Sequence, residues 1–340
     1  MQPLRSRSNP APLAGIIFGI IFLTIWFWTP ITDTIGEWIS DSAVTVQKPY
    51  SFELQGSKLD MCLSPDGNFL ATAGEHSFAL WDIHSRKIVT RITLDRNIEW
   101  IRYSNDGGSL IMKTDDSVKL WDTKKWTVLK SYDPQEFSHL GELMQLTAAS
   151  GNELIGVLMS SDKQYTTIYD IAAAKKLLQL GREFRGYIGF DSSSRHLAAY
   201  SRHPSRLVLW DLTSGIEEDT IPADEFTGGL RVSPNGRFVA WNTRGRVVVY
   251  DRLIRKAHTI YYEMPYQETA LTAFSPDSGK IAVTNRDGVE LYDTATGKSL
   301  SRLASSAFDY RSLDFSLDGH SVAVNYESSP MVDIWDIRNI

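Results

Sequence analysis

The sequence of 340 residues predicts an all-β fold of seven four-stranded units, preceded by one membrane-spanning α-helix. An aromatic-Asp dipeptide recurs seven times, with spacings of 40, 48, 41, 40, 42 and 43 residues. Turn sequences such as Ser64-Pro65-Asp66-Gly67 precede most of the dipeptides. Before these units, the 25 residues between Arg7 and Asp33 carry no charge. Repeats of this length indicate stacked supersecondary units, and the uncharged segment is typical of a helix that crosses a bilayer.

The composition excludes several classes of function. The net charge is -6, so the chain lacks the basic excess that draws proteins to nucleic acid. Cys62 is the only cysteine, which rules out an intramolecular disulfide and a thiolate metal cluster. The aromatic content of 11% argues against disorder. We therefore expect neither a nucleic-acid partner nor a cofactor.

The predicted helix covers residues 11–31 and is long enough to span a bilayer. At 1.5 Å per residue it measures about 32 Å. The segment ends in bulky residues rather than in a small-residue cleavage site, which favours a retained anchor over a signal peptide. Trp26 and Trp28 suit the headgroup level, where an amphipathic ring is half solvated. Gly15 and Gly19 form a small-xxx-small pair that permits close approach of a partner helix, or they are simply common residues of such helices.

The flanking charges predict the orientation of this helix. Arg5 and Arg7 lie in residues 1–10, whereas the predicted linker, residues 32–42, is acidic. The positive-inside bias therefore predicts a cytoplasmic N-terminus and an extracytoplasmic domain. No Asn-x-Ser/Thr sequon is present, which favours a bacterial inner membrane and periplasm over a eukaryotic secretory lumen.

The repeats predict four short strands per unit over residues 43–340. The dipeptides are Trp81-Asp82, Trp121-Asp122, Tyr169-Asp170, Trp210-Asp211, Tyr250-Asp251, Tyr292-Asp293 and Trp335-Asp336. Proline and glycine in the upstream turns suit tight hairpins. Units three and four keep only degenerate turns. Four strands in about 40 residues correspond to one propeller blade.

On these motifs the chain resembles the WD-repeat β-propeller family, over essentially all of residues 43–340. In that family a Gly-His pair and a turn Asp join the Trp in a hydrogen-bond network. Here Gly319-His320 falls in a hairpin turn instead, and turn aspartates survive in only some units. We therefore expect the blades to depend more on packing than on that network.

The end of the chain predicts how the ring closes. In the family the dipeptide ends the third strand, and too few residues follow Asp336 to form a fourth. Residues 43–54 alternate like a strand and lie before the first complete unit. We expect them to supply the outer strand of the last blade, because closure removes exposed sheet edges.

The histidines provide the only candidates for an enzymatic or metal site. By position in their units, His139 and His203 lie on one face of neighbouring blades. No catalytic or phosphate-binding motif accompanies them. A propeller enzyme or a metal-binding extracytoplasmic sensor is thus the alternative function, and isolated surface histidines are the simpler interpretation.

The loops between blades give a candidate partner surface. At 14 or 15 residues after the dipeptide Asp, aromatic residues recur, three of them after a glutamate. The predicted partner-binding residues are Phe137, Phe184, Phe226, Tyr266, Phe308, Glu136, Glu183 and Glu225. Aromatic rings supply binding area at interfaces, and carboxylates select basic partners. Alternatively, each ring packs between blades.

Two groups of charges complete the prediction. Unit five carries a basic cluster that either meets an acidic partner or is a solvated surface: Arg237, Arg244, Arg246, Arg252, Arg255 and Lys256. Arg102, Arg231 and Asp314 occupy matching positions on the innermost strands, where charges near the central channel usually pair.

The sequence therefore predicts a non-catalytic scaffold. Its helix would contact other membrane-protein subunits and the lipid bilayer, and its propeller loops would bind the extracytoplasmic face of a complex. Respiratory and photosynthetic complexes are examples of such hosts.

Overall fold

The computed structural model describes residues 45–47, 49–53, 60–74, 76–104, 106–148, 154–184, 186–264, 269–305 and 309–340. In these ranges the chain forms seven sheets, and the predicted all-β, seven-bladed propeller is confirmed. The transmembrane helix predicted over residues 11–31, with Gly15, Gly19, Trp26 and Trp28, lies outside the described residues. Within the described ranges, no helix is long and apolar enough to cross a membrane.

Each blade is a meander of four strands, named inner, second, third and outer from the central channel outward. Blade one contains Asp60–Leu63, Phe69–Ala73, Ser77–Asp82 and Lys87–Thr93. Blade two contains Ile98–Tyr103, Ser109–Thr114, Val118–Asp122 and Val128–Tyr132. Blade three contains Glu142–Ala148, Leu154–Met159, Tyr165–Asp170 and Lys175–Gly181. Blade four contains Ile188–Phe190, His196–Arg202, Ser205–Asp211 and Ile216–Pro222.

The remaining blades follow the same order. Blade five contains Gly228–Val232, Phe238–Thr243, Arg246–Asp251 and Lys256–Tyr261. Blade six contains Thr272–Phe274, Lys280–Asn285, Gly288–Asp293 and Ser299–Ala304. Blade seven contains Tyr310–Phe315, Ser321–Tyr326 and Met331–Asp336. A 3-10 helix, Pro134–Leu140, lies between blades two and three.

This topology gives the ring two distinct faces. The connection face carries the loops that join the outer strand of one blade to the inner strand of the next, together with the second-to-third turns. The hairpin face carries the inner-to-second turns and the third-to-outer turns. Because neighbouring strands within a blade are antiparallel, these two sets of loops lie at opposite ends of the strands.

The core lies between blades rather than inside any one of them. Seven clusters of buried apolar side chains each join two neighbouring blades, and one of them joins blade one to blade seven. A single blade cannot bury both of its faces alone, so the ring is stable only as a closed set.

The inner-to-second turns are built by a repeated serine. Ser104 donates from its hydroxyl to Asp106 at 2.6 Å and accepts the backbone N–H of Ser109 at 3.0 Å. The same bonds recur in blades one, six and seven. Gly107 has a φ of 68°, and a Cβ there would stand 2.0 Å from Pro65 of the neighbouring turn. Glycine is therefore required where these two turns meet.

Ring closure uses the predicted segment, but not as one strand. Tyr50–Glu53 pairs antiparallel with Met331–Asp336 and forms the outer strand of blade seven. Thr45–Gln47 instead pairs parallel with Ser299–Ala304, as a fifth strand of blade six. The Ser51 hydroxyl donates to the buried Asp333 carboxylate at 2.6 Å. The N-terminal segment thus covers the edges of two blades, because it crosses from one to the other.

Few of the dipeptide tryptophans take part in a side-chain network. The indole N–H of Trp81 donates to Thr72 at 3.0 Å within blade one. Among the described residues, the buried indole N–H groups of Trp121 and Trp335 have no hydrogen-bond partner. Their contribution is therefore the packing of the ring, in agreement with the departure of the sequence from the family pattern.

Candidate interaction surface

The inner strands of all seven blades line a central channel of about 800 Å³. Arg102, Arg231 and Asp314 occupy the same position on their strands, two residues before the turn. Arg102 donates to Asp60 at 2.8 Å, so the predicted pairing of channel charges is observed for this arginine. Burial raises the pKa of Asp314 to about 6, although Arg102 and Arg231 act in the opposite direction.

Cys62 lies at the same level of the channel. Its side chain is buried, and burial raises the pKa of the thiol well above its ordinary value. A thiol that stays protonated is a weak nucleophile, so Cys62 acts as a small apolar residue of the inner strand.

Phe184, one of the predicted partner residues, packs between blades three and four. Its side chain is only 6% exposed, within the apolar cluster that joins blades three and four. The phenyl ring of Phe184 meets the indole ring of Trp210 edge to face, with centroids 5.1 Å apart. This position agrees with the alternative in which the loop aromatics pack between blades, and it removes Phe184 from any open surface.

Phe226 belongs to a cluster of three aromatic rings on the connection face. It stacks on Tyr200 with centroids 3.9 Å apart and an interplanar angle of 11°. Tyr187 meets Phe226 edge to face at 5.0 Å. We call these three residues the aromatic cluster. Tyr200 is buried and Phe226 is half-buried, whereas Tyr187 is 42% exposed and presents the cluster to solvent.

Hydrogen bonds fix the aromatic cluster in place. The backbone N–H of Tyr200 donates to the carbonyl of Tyr187 at 3.1 Å. The hydroxyl of Tyr200 lies 3.0 Å from that of Ser205, which donates to the carbonyl of Ala223 at 2.8 Å. The loop that carries Phe226 is thus tied to the strands beneath it, and the rings are held in their positions before any partner binds.

The three predicted glutamates lie in segments that join successive blades on the connection face. Glu183 and Glu225 are exposed in the loops before blades four and five. Glu225 has a φ of 58° and pairs with Arg246 at 2.7 Å, so its charge is already engaged. Glu136 is exposed in the 3-10 helix.

The remaining predicted aromatic residues are Phe137, Tyr266 and Phe308. Phe137 lies in the 3-10 helix, while Tyr266 and Phe308 lie outside the described residues.

Sequence reasoning missed Tyr187, Tyr200 and the channel-mouth residues. Tyr187 and the half-buried Trp100 stand at matching positions, each four residues before the first residue of its inner-to-second turn. Met144, which is half exposed, lies near the start of the inner strand of blade three. The repeat itself contained this signal, since counting back from the turns identifies Trp100 and Tyr187 together.

Among the described residues, the candidate group of metal ligands includes neither His139 nor His203. His139 lies in the 3-10 helix and His203 lies in the second-to-third turn of blade four, and both are exposed. Within the described part of the chain, the group of His, Asp and Glu close enough to share an ion is a different one: His196, Asp211 and Glu218. Arg195 pairs with this aspartate at 3.1 Å, and Arg252 pairs with this glutamate at 2.9 Å. Because guanidinium groups already neutralise both carboxylates, the group is an ion-pair network of blades four and five.

The chain forms a seven-bladed propeller whose third strands end in aromatic-Asp dipeptides, and it is similar to a WD-repeat protein over part of its length. The chain is 30% identical over 172 residues to the WD repeat-containing protein SL1-17 of Schistosoma mansoni. That match covers 48% of this chain and 55% of the relative. The chain is also 28% identical over 114 residues to the target of rapamycin complex subunit wat1 of Schizosaccharomyces pombe, and this match covers 32% of each chain. The matches thus span less than two thirds of either relative.

A solved structure shares the fold. The β-propeller domain of Cps50 (Swd1) from Myceliophteria thermophila superposes with a TM-score of 0.60. The match covers 84% of this chain and 99% of that domain, at 14% sequence identity. At this identity the likeness shows the fold alone. No family model matches the sequence.

The predicted localisation is wrong. The sequence favoured a single-pass protein of a bacterial inner membrane with a periplasmic propeller. The relatives are WD-repeat proteins of eukaryotes, and the described residues hold no helix that could cross a membrane. The prediction depended on two arginines and on the absence of a sequon, and neither observation distinguishes an anchor from another apolar segment.

Proposed function

We propose that the chain is a non-catalytic scaffold subunit that binds a protein partner through the aromatic cluster on its connection face. The observation that carries this proposal is the arrangement of Tyr187, Tyr200 and Phe226. Two of the rings are fixed by packing and hydrogen bonds, and the third is open to solvent. Rigid aromatic side chains bind at low cost in conformational entropy, and tyrosines are enriched among the residues that dominate binding energy.

The relatives support a role in an assembly. One of them is named as a subunit of a complex, and the other is named as a WD repeat-containing protein. The fold offers a rigid disc with two broad faces, which suits the binding of proteins. The predicted binding to a membrane complex depended on the periplasmic localisation, which is wrong, and it is therefore not proposed.

The local charges indicate the chemistry of the partner. Glu183 is exposed in the loop that leads to Tyr187, and Met144 adds apolar area at the channel mouth. A partner segment with an arginine or lysine between aliphatic residues would place its cation on the face of Tyr187 and its apolar atoms against Met144. Of the residues predicted from sequence, this surface keeps Phe226, Glu183 and Glu225 and replaces Phe184 by Tyr187.

The test compares three variants of the tagged full chain, purified gently from its natural host. Tyr187→Ala should lower the amount of co-purifying partner by roughly tenfold or more, as expected for a residue that dominates binding. Tyr187→Phe keeps the ring and should retain the partner. Tyr261→Ala is the matched control, because Tyr261 is more exposed but lies at the end of the outer strand of blade five. Equal recovery with all three variants would refute the proposed surface.

A further inference from the structure

The six third-to-outer turns of blades one to six share one geometry. In each turn the dipeptide Asp accepts a backbone N–H from within the turn. In each turn, the fourth residue after this Asp has a positive φ, between 51° and 71°. These two features determine the turn, so the two residues at its tip are free to vary.

Blade five differs from the other blades at this tip. Five turns carry small or polar residues there: His84-Ser85, Lys124-Lys125, Ala172-Ala173, Thr213-Ser214 and Ala295-Thr296. Blade five carries Leu253 and Ile254, which are 74% and 56% exposed. Ile216, at the start of the outer strand of blade four, is exposed on the same face. The geometry of the turn does not require aliphatic side chains, so their exposure at this tip is not explained by the local fold.

Two ion pairs hold this turn against blade four. Arg252 pairs with Glu218 at 2.9 Å, and Arg255 pairs with Asp219 at 3.0 Å. Both carboxylates belong to the outer strand that Ile216 begins. The tip of blade five is thus fixed beside blade four.

The charge around the tip is asymmetric. The Arg255 side chain is 71% exposed, whereas its partner Asp219 is 9% exposed. Arg237 with Asp251, and Arg195 with Asp211, follow the same order. In each of these pairs the carboxylate is covered and the guanidinium faces solvent. The pair of Arg252 and Glu218 has the reverse order, with side chains 19% and 31% exposed. Around the tip, the aliphatic side chains are therefore accompanied by the exposed guanidinium groups of Arg195, Arg237 and Arg255.

From these observations we infer that Leu253 and Ile254 insert into an apolar pocket of a partner protein whose rim carries carboxylates. The apolar tip fits such a pocket, and the uncovered guanidinium groups of Arg195, Arg237 and Arg255 complement an acidic rim. This inference rests on the proposed scaffold function but uses the opposite face of the ring. The two surfaces can therefore succeed or fail independently.

A protein pocket fits the tip better than an anionic membrane does. Membrane binding scales with the apolar area that is buried. The side chains of Leu253 and Ile254 together hold fewer carbons than one myristoyl chain, which alone gives only marginal binding. A shaped pocket, in contrast, encloses both side chains and gains contacts on all sides.

Site-specific photo-crosslinking in the natural host tests the inference. A benzophenone amino acid is placed at position 253 or 254 of the tagged full chain, and the crosslinked peptides are sequenced. The same probe at Ala295, which occupies the tip of the same turn type in blade six, is the control. The expected product at 253 and 254, but not at 295, is one protein segment that combines apolar residues with Asp or Glu.

Two variants then measure the contribution of the tip. The double variant Leu253→Ser with Ile254→Ser should lower recovery of that protein by about 10- to 100-fold. Arg255→Glu should weaken the complex and reduce its sensitivity to salt. Ala295→Ser with Thr296→Ser should change neither recovery nor salt dependence.

Several results would overturn the inference. Among them are the absence of a position-specific crosslink, a crosslink only to a second copy of this chain, and unchanged recovery with the double variant. Binding of the full chain to phosphatidylcholine–phosphatidylserine vesicles that is lost in the double variant would instead assign the tip to a membrane. If Tyr187→Ala still releases its partner in any of these cases, the proposed scaffold function stands.

Discussion

Burial of the Asp314 carboxyl in the channel should make the stability of the protein depend on pH. Its pKa is raised by burial from the ordinary 3.8 to about 6. Ionisation therefore costs the folded state more than the unfolded chain, by about 3 kcal/mol at roughly 1.4 kcal/mol per pKa unit. Because Asp314 is partly exposed to the channel, solvent screens its charge, and we expect about 1–3 kcal/mol in experiment. Because the folded pKa is the higher one, this cost is full above pH 6 and absent below about pH 3.8.

The variant Asp314→Asn should remove this cost with little change in shape. At pH 7.5 its free energy of unfolding should exceed that of the wild type by about 1–3 kcal/mol, and the two should converge as the pH falls towards 4. Urea unfolding of the full chain, followed by tryptophan fluorescence across this pH range, measures the difference. The exposed Asp95→Asn serves as control and should stay within about 0.5 kcal/mol of the wild type throughout. A variant that is no more stable at pH 7.5, or a difference independent of pH, would refute this account of the channel.

Two further predictions concern the packing between blades and the closure of the ring. Phe184→Ala should destabilise the protein by about 3–5 kcal/mol, because a buried ring beside Trp210 is removed, and should leave partner recovery per folded molecule unchanged; stability within about 1 kcal/mol of the wild type would contradict its burial. Ser51→Ala should cost about 1–3 kcal/mol by removing a hydroxyl that donates to the buried Asp333, and deletion of residues 43–54 should cost more, because it uncovers edges of blades six and seven. Unchanged thermal unfolding after the deletion would refute the closure of the ring by this segment.

The sequence contained most of the fold because each repeat carries its own landmarks. The dipeptide ends the third strand in every blade, and the serine-based turn marks the step from inner to second strand. Both landmarks act locally, through hydrogen bonds within a few residues, so a single chain reveals them. Blades three and four depart from this rule. The Ser160–Asp162 turn of blade three joins the second and third strands instead, and Asp191 takes the place of the serine in blade four.

Contacts between blades were not predictable in the same way. Phe184 and Phe226 stand at nearly the same distance after their dipeptides, yet one is buried and the other belongs to an open cluster. Phe184 lies four residues before the inner strand of blade four, whereas Phe226 lies two residues before that of blade five. The loop lengths differ, and therefore so does the depth at which each ring meets its neighbour. Residues 43–54 illustrate the same limit, because alternation predicts strand structure but not which sheet edge it joins.

Blades four and five combine the features that distinguish this ring from seven equivalent units. On the connection face they form the aromatic cluster around Tyr187, and on the hairpin face they present Leu253 and Ile254. Between these surfaces lies a buried cluster that includes Tyr200 and Trp241 from the two blades. Close-packed cores deform little, so this shared core keeps the two surfaces at a constant separation. A partner bound on one face would therefore leave the other face in its binding geometry, and the scaffold could hold two proteins on opposite sides of the same pair of blades.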